Sequence, residues 1–195
     1  MKKEKVLRNQ LWISFFAGII LVGFTLLSII LYFLSEPFVG VVPNTLYSLA
    51  ILIVSIVFLF GFILIADRKK SVYLKVGTVI SMFSVLAFFI AQILKYVNIS
   101  VETWYSYLFL PSIIAGIISS FVMGLALLGF EHDYDSLALV AGFASLIDGI
   151  FNSFMFAGFL PTNILSMSYF LTTAIIIVVY LSLIVIIKKE IDYAA

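Results

Sequence analysis

The sequence predicts an all-α protein, a polytopic helical bundle that crosses a membrane about six times. Three observations predict it. The 195-residue chain is 64% hydrophobic and only 11% charged, whereas a soluble domain keeps about a quarter of its residues charged. The charges are also spaced. None lies between Arg8 and Glu36, between Glu36 and Asp67, between Lys75 and Lys95, or between Glu102 and Glu131. From Asp135 to Lys188 the only one is Asp148. Each gap holds one bilayer-crossing helix of roughly 20 residues, and the last holds two. Finally, the gaps are apolar on every face, unlike the short alternating segments of a transmembrane β-barrel. Helices are then required, because an unpaired backbone group in lipid is costly.

The gaps place helices near 11–34, 45–66, 74–97, 108–130, 137–159 and 168–188, in one transmembrane domain spanning 1–195. The first follows a basic segment, MKKEKVLR, that looks like the start of a signal peptide. The apolar stretch from Leu11 to Leu34 exceeds a signal-peptide core of about 7–15 residues, and no small-x-small cleavage site closes it. An uncleaved first helix is expected. The second helix is nearly bare of small or polar residues apart from Ser48, Ala50, Ser55 and Gly61, and the sixth is rich in Ile and Val. Both read as lipid-facing or covered by partner subunits, so Gly61→Leu is expected to be mild. Pro37, Pro43 and Pro161 break the loops, and Pro111 is expected in the first turn of the fourth helix, where its missing N–H costs little. None of the spans then has an interior proline.

The fourth and fifth helices carry the packing signal. Gly116, Ser120 and Gly124 recur every fourth residue in one, and Ala141, Ser145, Gly149, Ser153 and Ala157 in the other. Small residues let helix backbones approach closely in lipid. The stripes serve either self-association or packing of the two helices on each other within the chain, and the second is the expectation. A weak internal similarity links Val22-Gly23-Phe24, followed by Pro43-Asn44-Thr45, with Ala141-Gly142-Phe143, followed by Pro161-Thr162-Asn163.

Basic residues set the orientation. Lys2, Lys3, Lys5 and Arg8 precede the first helix, Arg68, Lys69, Lys70 and Lys75 fill the second loop, and Lys188 and Lys189 follow the sixth helix. Six spans put all of these on one side, the cytoplasmic one, with both termini. Lys95 is near the outer end of the third helix and can snorkel. Trp104, Tyr105 and Tyr107 suit the outer interface and Trp12 the inner one. Asn98-Ile99-Ser100 is a possible glycosylation sequon on the outer side. The inner loop Glu131–Asp135 is acidic and is expected to be a solvated turn rather than a divalent-cation site.

Asp148 is the candidate functional residue. It falls near the middle of the fifth helix, where an ionised carboxylate costs a few kcal/mol or more. Asn152 lies one turn on and Ser145 just under one turn back, on the face that carries the small residues. Ser119 and Ser120 of the fourth helix, Ser81 and Ser84 of the third and Ser55 of the second lie at a similar depth, and no cation of the chain does. The expectation is a carboxyl buried against protein near these groups, carrying its proton at neutral pH. It serves either as a proton or cation site or as a hydrogen-bonded joint between helices.

Several functions are excluded or disfavoured. The chain has no Cys and one His, His132, which removes disulfides, thiolate metal sites, iron–sulfur clusters and bis-histidine haem within the chain. No cofactor and no metal is expected. Net charge of +1 gives no general attraction to nucleic acid. No HExxH, GxSxG, P-loop or dinucleotide turn occurs. The leading expectation is a non-catalytic integral membrane subunit of a larger complex, a respiratory or transport assembly, packing through helices four and five. Its partners are the lipid bilayer of the plasma membrane and other membrane subunits or further copies of itself. One alternative is a small proton- or cation-coupled transporter or channel centred on Asp148, against which counts a shortage of other polar lining. A second is an intramembrane lipid-modifying enzyme.

Overall fold

The computed structural model describes residues 2–33, 41–96, 102–158 and 162–193. The described residues hold seven helices: α1 (Lys2–Phe33), α2 (Val41–Lys69), α3 (Val72–Tyr96), α4 (Glu102–Leu128), α5 (Glu131–Tyr134), α6 (Ser136–Phe156) and α7 (Thr162–Tyr193). No strand occurs among them. All but α5 are long and apolar enough to cross a membrane. The fifth and sixth expected spans are therefore α6 and α7.

Several helices begin earlier than expected. A 32-residue helix such as α7 is about 48 Å long at 1.5 Å per residue, well beyond the roughly 30 Å of hydrocarbon. The polar residues at such ends leave the apolar slab without ending the helix. Pro43 accordingly lies in the first turn of α2, where its missing donor is harmless. Pro111, by contrast, is inside α4 and not in its first turn, which corrects the expectation that no span has an interior proline. It removes one intrahelical donor. Hydroxyls reinforce that stretch: Ser112 donates to the Phe109 carbonyl at 2.6 Å, and Ser84 of α3 donates to the Ser112 carbonyl at 2.7 Å.

The six long helices close into a ring in chain order. α1 packs on α2, α2 on α3, α3 on α4, α4 on α6, α6 on α7, and α7 back on α1. Close approaches hold the seams. An added Cβ at Gly18 of α1 would lie 2.7 Å from Phe58 of α2 and 2.6 Å from Ile184 of α7. One at Gly142 of α6 would lie 2.9 Å from the Gly124 carbonyl of α4. The expected contact between the fourth and fifth spans is present, with Gly124 and Gly142 at its tightest point. Ala141, Ser145 and Gly149 are buried and Ser153 is half-buried, but Ala157 is exposed just past the end of α6. Gly149 faces Ser120 and Phe121, whereas Gly116 faces Ser84 of α3 and not α6. Gly142, at the heart of the seam, falls outside the four-residue ladder.

The expectation that helices two and six face lipid holds for only one face of each: Leu46, Ile53 and Phe60 of α2 and Leu171, Leu181 and Val185 of α7 are exposed, while the opposite faces are buried. α2 has 44% of its span buried, the highest share of the six. Phe58, Phe62, Ile65 and Ala66 of α2 form a core with Leu183, Ile184, Ile187 and Ile191 of α7. Aromatic and branched side chains on these helices serve the interior because the ring's neighbours supply the small partners. Gly61 illustrates it: a Cβ there would lie 2.7 Å from that of Ser14 in α1, so a mild effect of Gly61→Leu is no longer expected. Ser14 itself donates across the same seam to the Val57 carbonyl at 2.9 Å. The weak repeat does not extend to packing, since Gly23 faces open space and Gly142 is in close contact.

Candidate ligand site inside the helix ring

α6 places Asp148 and Asn152 four residues apart, on one helix face. The Asn152 side-chain amide donates to Asp148 Oδ1 at 2.9 Å. Ser120 of α4 donates to Asp148 Oδ2 at 3.0 Å. The small side chains at the α4–α6 seam bring the two helices near enough for that bond. Ser145 and Ser119 do not bond the carboxyl. They donate instead to their own helices, at the Ala141 and Gly116 carbonyls, both at 2.8 Å.

All five candidates nevertheless line one cavity of about 670 Å³ within the ring. Every one of the six long helices contributes to its wall. Its floor is shared with the core cluster through Leu21, Phe58, Met123 and Leu183. The core fills the half of the bundle that carries the α2–α3 turn and the end of α7, so the cavity occupies the other half.

The wall has two characters. Eleven hydroxyl groups line it, among them Thr25, Ser28, Ser84 and Ser112, along with one carboxyl and one amide. Thr25 and Ser28 donate to their own α1 carbonyls at 2.9 and 3.0 Å, as Ser112, Ser119 and Ser145 do in their helices. Ser84 donates to α4 and Ser120 to Asp148. With these protons committed, what such hydroxyls offer the cavity is oxygen lone pairs. The second character is apolar: Phe24, Phe58, Phe88 and Tyr180 stand among aliphatic residues such as Ile51, Leu59, Val85 and Ile176, with Phe58 and Tyr180 edge to face at 5.7 Å. Among the described lining residues there is no Lys, Arg or His.

A second polar cluster lies at the opposite end and was not anticipated. Glu190 of α7 is fully buried. Its carboxylate accepts from Arg68 at 2.7 Å and from the Tyr134 hydroxyl at 2.5 Å, and Lys69 lies 3.4 Å away. The acidic loop is solvated at Glu131, His132, Asp133 and Asp135, but it is more than a turn. It forms α5, buries Tyr134, and sets Asp133 on Lys69 at 2.9 Å and Asp135 on Lys189 at 3.3 Å. Its acids complement the basic ends of α2 and α7. Burial, then the adjacent Glu190 carboxylate, push the Tyr134 hydroxyl above the ordinary tyrosine range. The sequence did hold a signal for Glu190. It continues the buried stripe of Leu183, Ile187 and Ile191 at helical spacing, but Lys188 and Lys189 beside it make the segment read as a solvated tail.

Trp12 is at this basic end, with the Lys188 ammonium 5.5 Å from its ring centroid. Tyr107 is exposed. Asn98 lies outside the described residues, as do Pro37 and Pro161.

The fold and cavity define the class: a multi-pass helical membrane protein with a largely apolar, hydroxyl-studded cavity inside its ring of spans. The chain matches no protein-family model, and it has no significant match among curated proteins or solved structures.

Proposed function

We propose that the protein is a small cation- or proton-coupled transporter whose working group is Asp148. The observation that carries this reading is the carboxyl in an internal cavity whose described lining holds no cationic side chain. An ionised carboxylate inside a membrane needs a counter-charge. With none on the wall, the charge comes from a proton or an incoming cation, and the two compete for one group. Entry of a cation then releases the Asp148 proton to solvent, and departure of the cation takes a proton back.

The main argument against transport was a shortage of polar lining. Hydroxyls from separate helices converging on one chamber supply that lining. The basic end of the bundle is taken as cytoplasmic, in the plasma membrane, with the core below the cavity as the barrier on that side. Asn152 and Ser120 orient the carboxyl, while Ser119 and Ser145 are wall groups.

The second reading is a non-catalytic subunit of a larger membrane complex, or a self-associating chain. It draws on the large apolar side chains facing outward along α4 and α6, including Leu125, Phe143, Ile147 and Phe154. Those faces suit lipid equally, and this reading gives the cavity no task.

Reconstitution separates the two. Vesicles loaded with a pH-sensitive dye are given an inward gradient of a monovalent cation. The transporter reading expects proton efflux with the wild type and none with Asp148→Asn, at equal protein incorporation. Cation-driven efflux that persists in Asp148→Asn would refute it.

A further inference from the structure

We infer that the cavity takes an organic ammonium ion, a compact protonated amine joined to an apolar, preferably aromatic, body. This rests on the exchange reading above and names the chemical class of its cation.

Size is the first argument. A cavity of about 670 Å³ lies within the range typical of small-molecule pockets, about 300–1,000 Å³. It is far larger than the tight oxygen cage that selects an inorganic cation. The second argument is hydrogen-bond polarity. Both Asp148 oxygens accept, and Thr25, Ser28, Ser84, Ser112, Ser119 and Ser145 spend their protons on backbone carbonyls. With the Ser120 proton on Asp148, seven of the eleven wall hydroxyls have their protons committed, and the cavity gains their acceptor lone pairs. It complements a group that carries several N–H donors and no lone pair, which describes an ammonium. An anion would meet the lone pairs of these hydroxyls and the Asp148 carboxyl.

The third argument concerns the rest of the wall. Phe24, Phe58, Phe88 and Tyr180 bring aromatic surface to the same chamber, with Ile51, Leu59, Val85 and Ile176. Aromatic faces attract cations as well as apolar groups. A bare alkali ion would leave most of this surface without a partner, and a neutral apolar solute would leave the carboxyl without one. Binding and proton release are then one event: the carboxylic acid loses its proton to solvent and the carboxylate holds the ammonium.

The test uses a matched pair of probes, 2-phenylethylammonium and the neutral 2-phenylethanol, on the full-length protein purified in mild detergent. Binding is read by equilibrium dialysis, and proton release by a pH indicator in weakly buffered solution near pH 7. The expected result is saturable binding of the ammonium, at least tenfold tighter than the alcohol, with one proton released per ion bound. Asp148→Asn should lose that preference and the proton release, while Asp148→Glu should keep both. Equal affinity for the two probes in the wild type overturns the inference without any variant, so it stays testable if Asp148→Asn does not fold. Cation-driven proton efflux that needs Asp148 but is indifferent to the ammonium overturns the ligand class and leaves the exchange reading standing. Loss of both overturns both.

Discussion

Asp148 shows how one residue takes its meaning from groups remote in sequence. Its own helix supplies Asn152 at 2.9 Å and the neighbouring α4 supplies Ser120 at 3.0 Å. The first is legible from four-residue spacing and the second from depth. Of the eleven cavity hydroxyls, Ser55, Ser81, Ser84, Ser119, Ser120 and Ser145 are legible from depth or spacing, and Thr25, Ser28, Ser112, Thr173 and Tyr180 are not. A Ser or Thr inside a membrane helix bonds its own backbone at little cost, so isolated hydroxyls such as Thr25 and Ser28 carry no sign that they face one chamber. Glu190 is the second instructive residue. Replacing it with Ala removes the acceptor of the buried Tyr134 hydroxyl, while Arg68 and Lys69, both partly exposed, can return to water. An orphaned buried hydroxyl costs about 1–3 kcal/mol, and Glu190→Ala should lose that much in detergent unfolding. Adding Tyr134→Phe removes the orphan and should recover part of the loss. An additive double variant would show that the pair is not coupled.

At the scale of elements, the seams are set by close approach. Gly142→Leu would force α6 from α4, since even a Cβ lies 2.7 Å from Leu128 and 2.9 Å from the Gly124 carbonyl. Overpacking of this kind costs about 1–3 kcal/mol or more. Gly61→Leu meets Ser14 and should cost a comparable amount. Gly23→Leu faces open space and should stay within about 0.5 kcal/mol, as surface changes do. Thermal unfolding of the three in one detergent checks the order, and an equal loss for Gly23→Leu would show the α1 face to be covered. The six spans themselves were legible because charge-free length has only one use at this scale. Which face of each span is buried was not. Hydrophobic content is the same toward lipid and toward core in a membrane, so the buried faces of α2 and α7 do not stand out from their outward ones.

For the whole molecule, the ring order explains why a cavity exists at all. Six helices packed each on its two neighbours leave an axis to be filled, and here large side chains fill only one half. The Glu190 cluster ties the end of α7 to the ends of α2 and to α5 at that filled half. Orientation follows from charge and is tested by single cysteines in this cysteine-free chain. Ser71→Cys in the α2–α3 turn should be protected from an impermeant thiol reagent in intact cells, and Ala157→Cys past α6 should react. The reverse pattern would invert the molecule in the membrane.

The most direct test of the central claim observes the Asp148 proton itself. Infrared difference spectra of the reconstituted protein, taken on adding the cation, report a protonated carboxyl through its C=O stretch. The account predicts a carboxylic-acid band that disappears on cation binding in the wild type and is missing from Asp148→Asn. A spectrum with no carboxyl change, or the same change in Asp148→Asn, would contradict it.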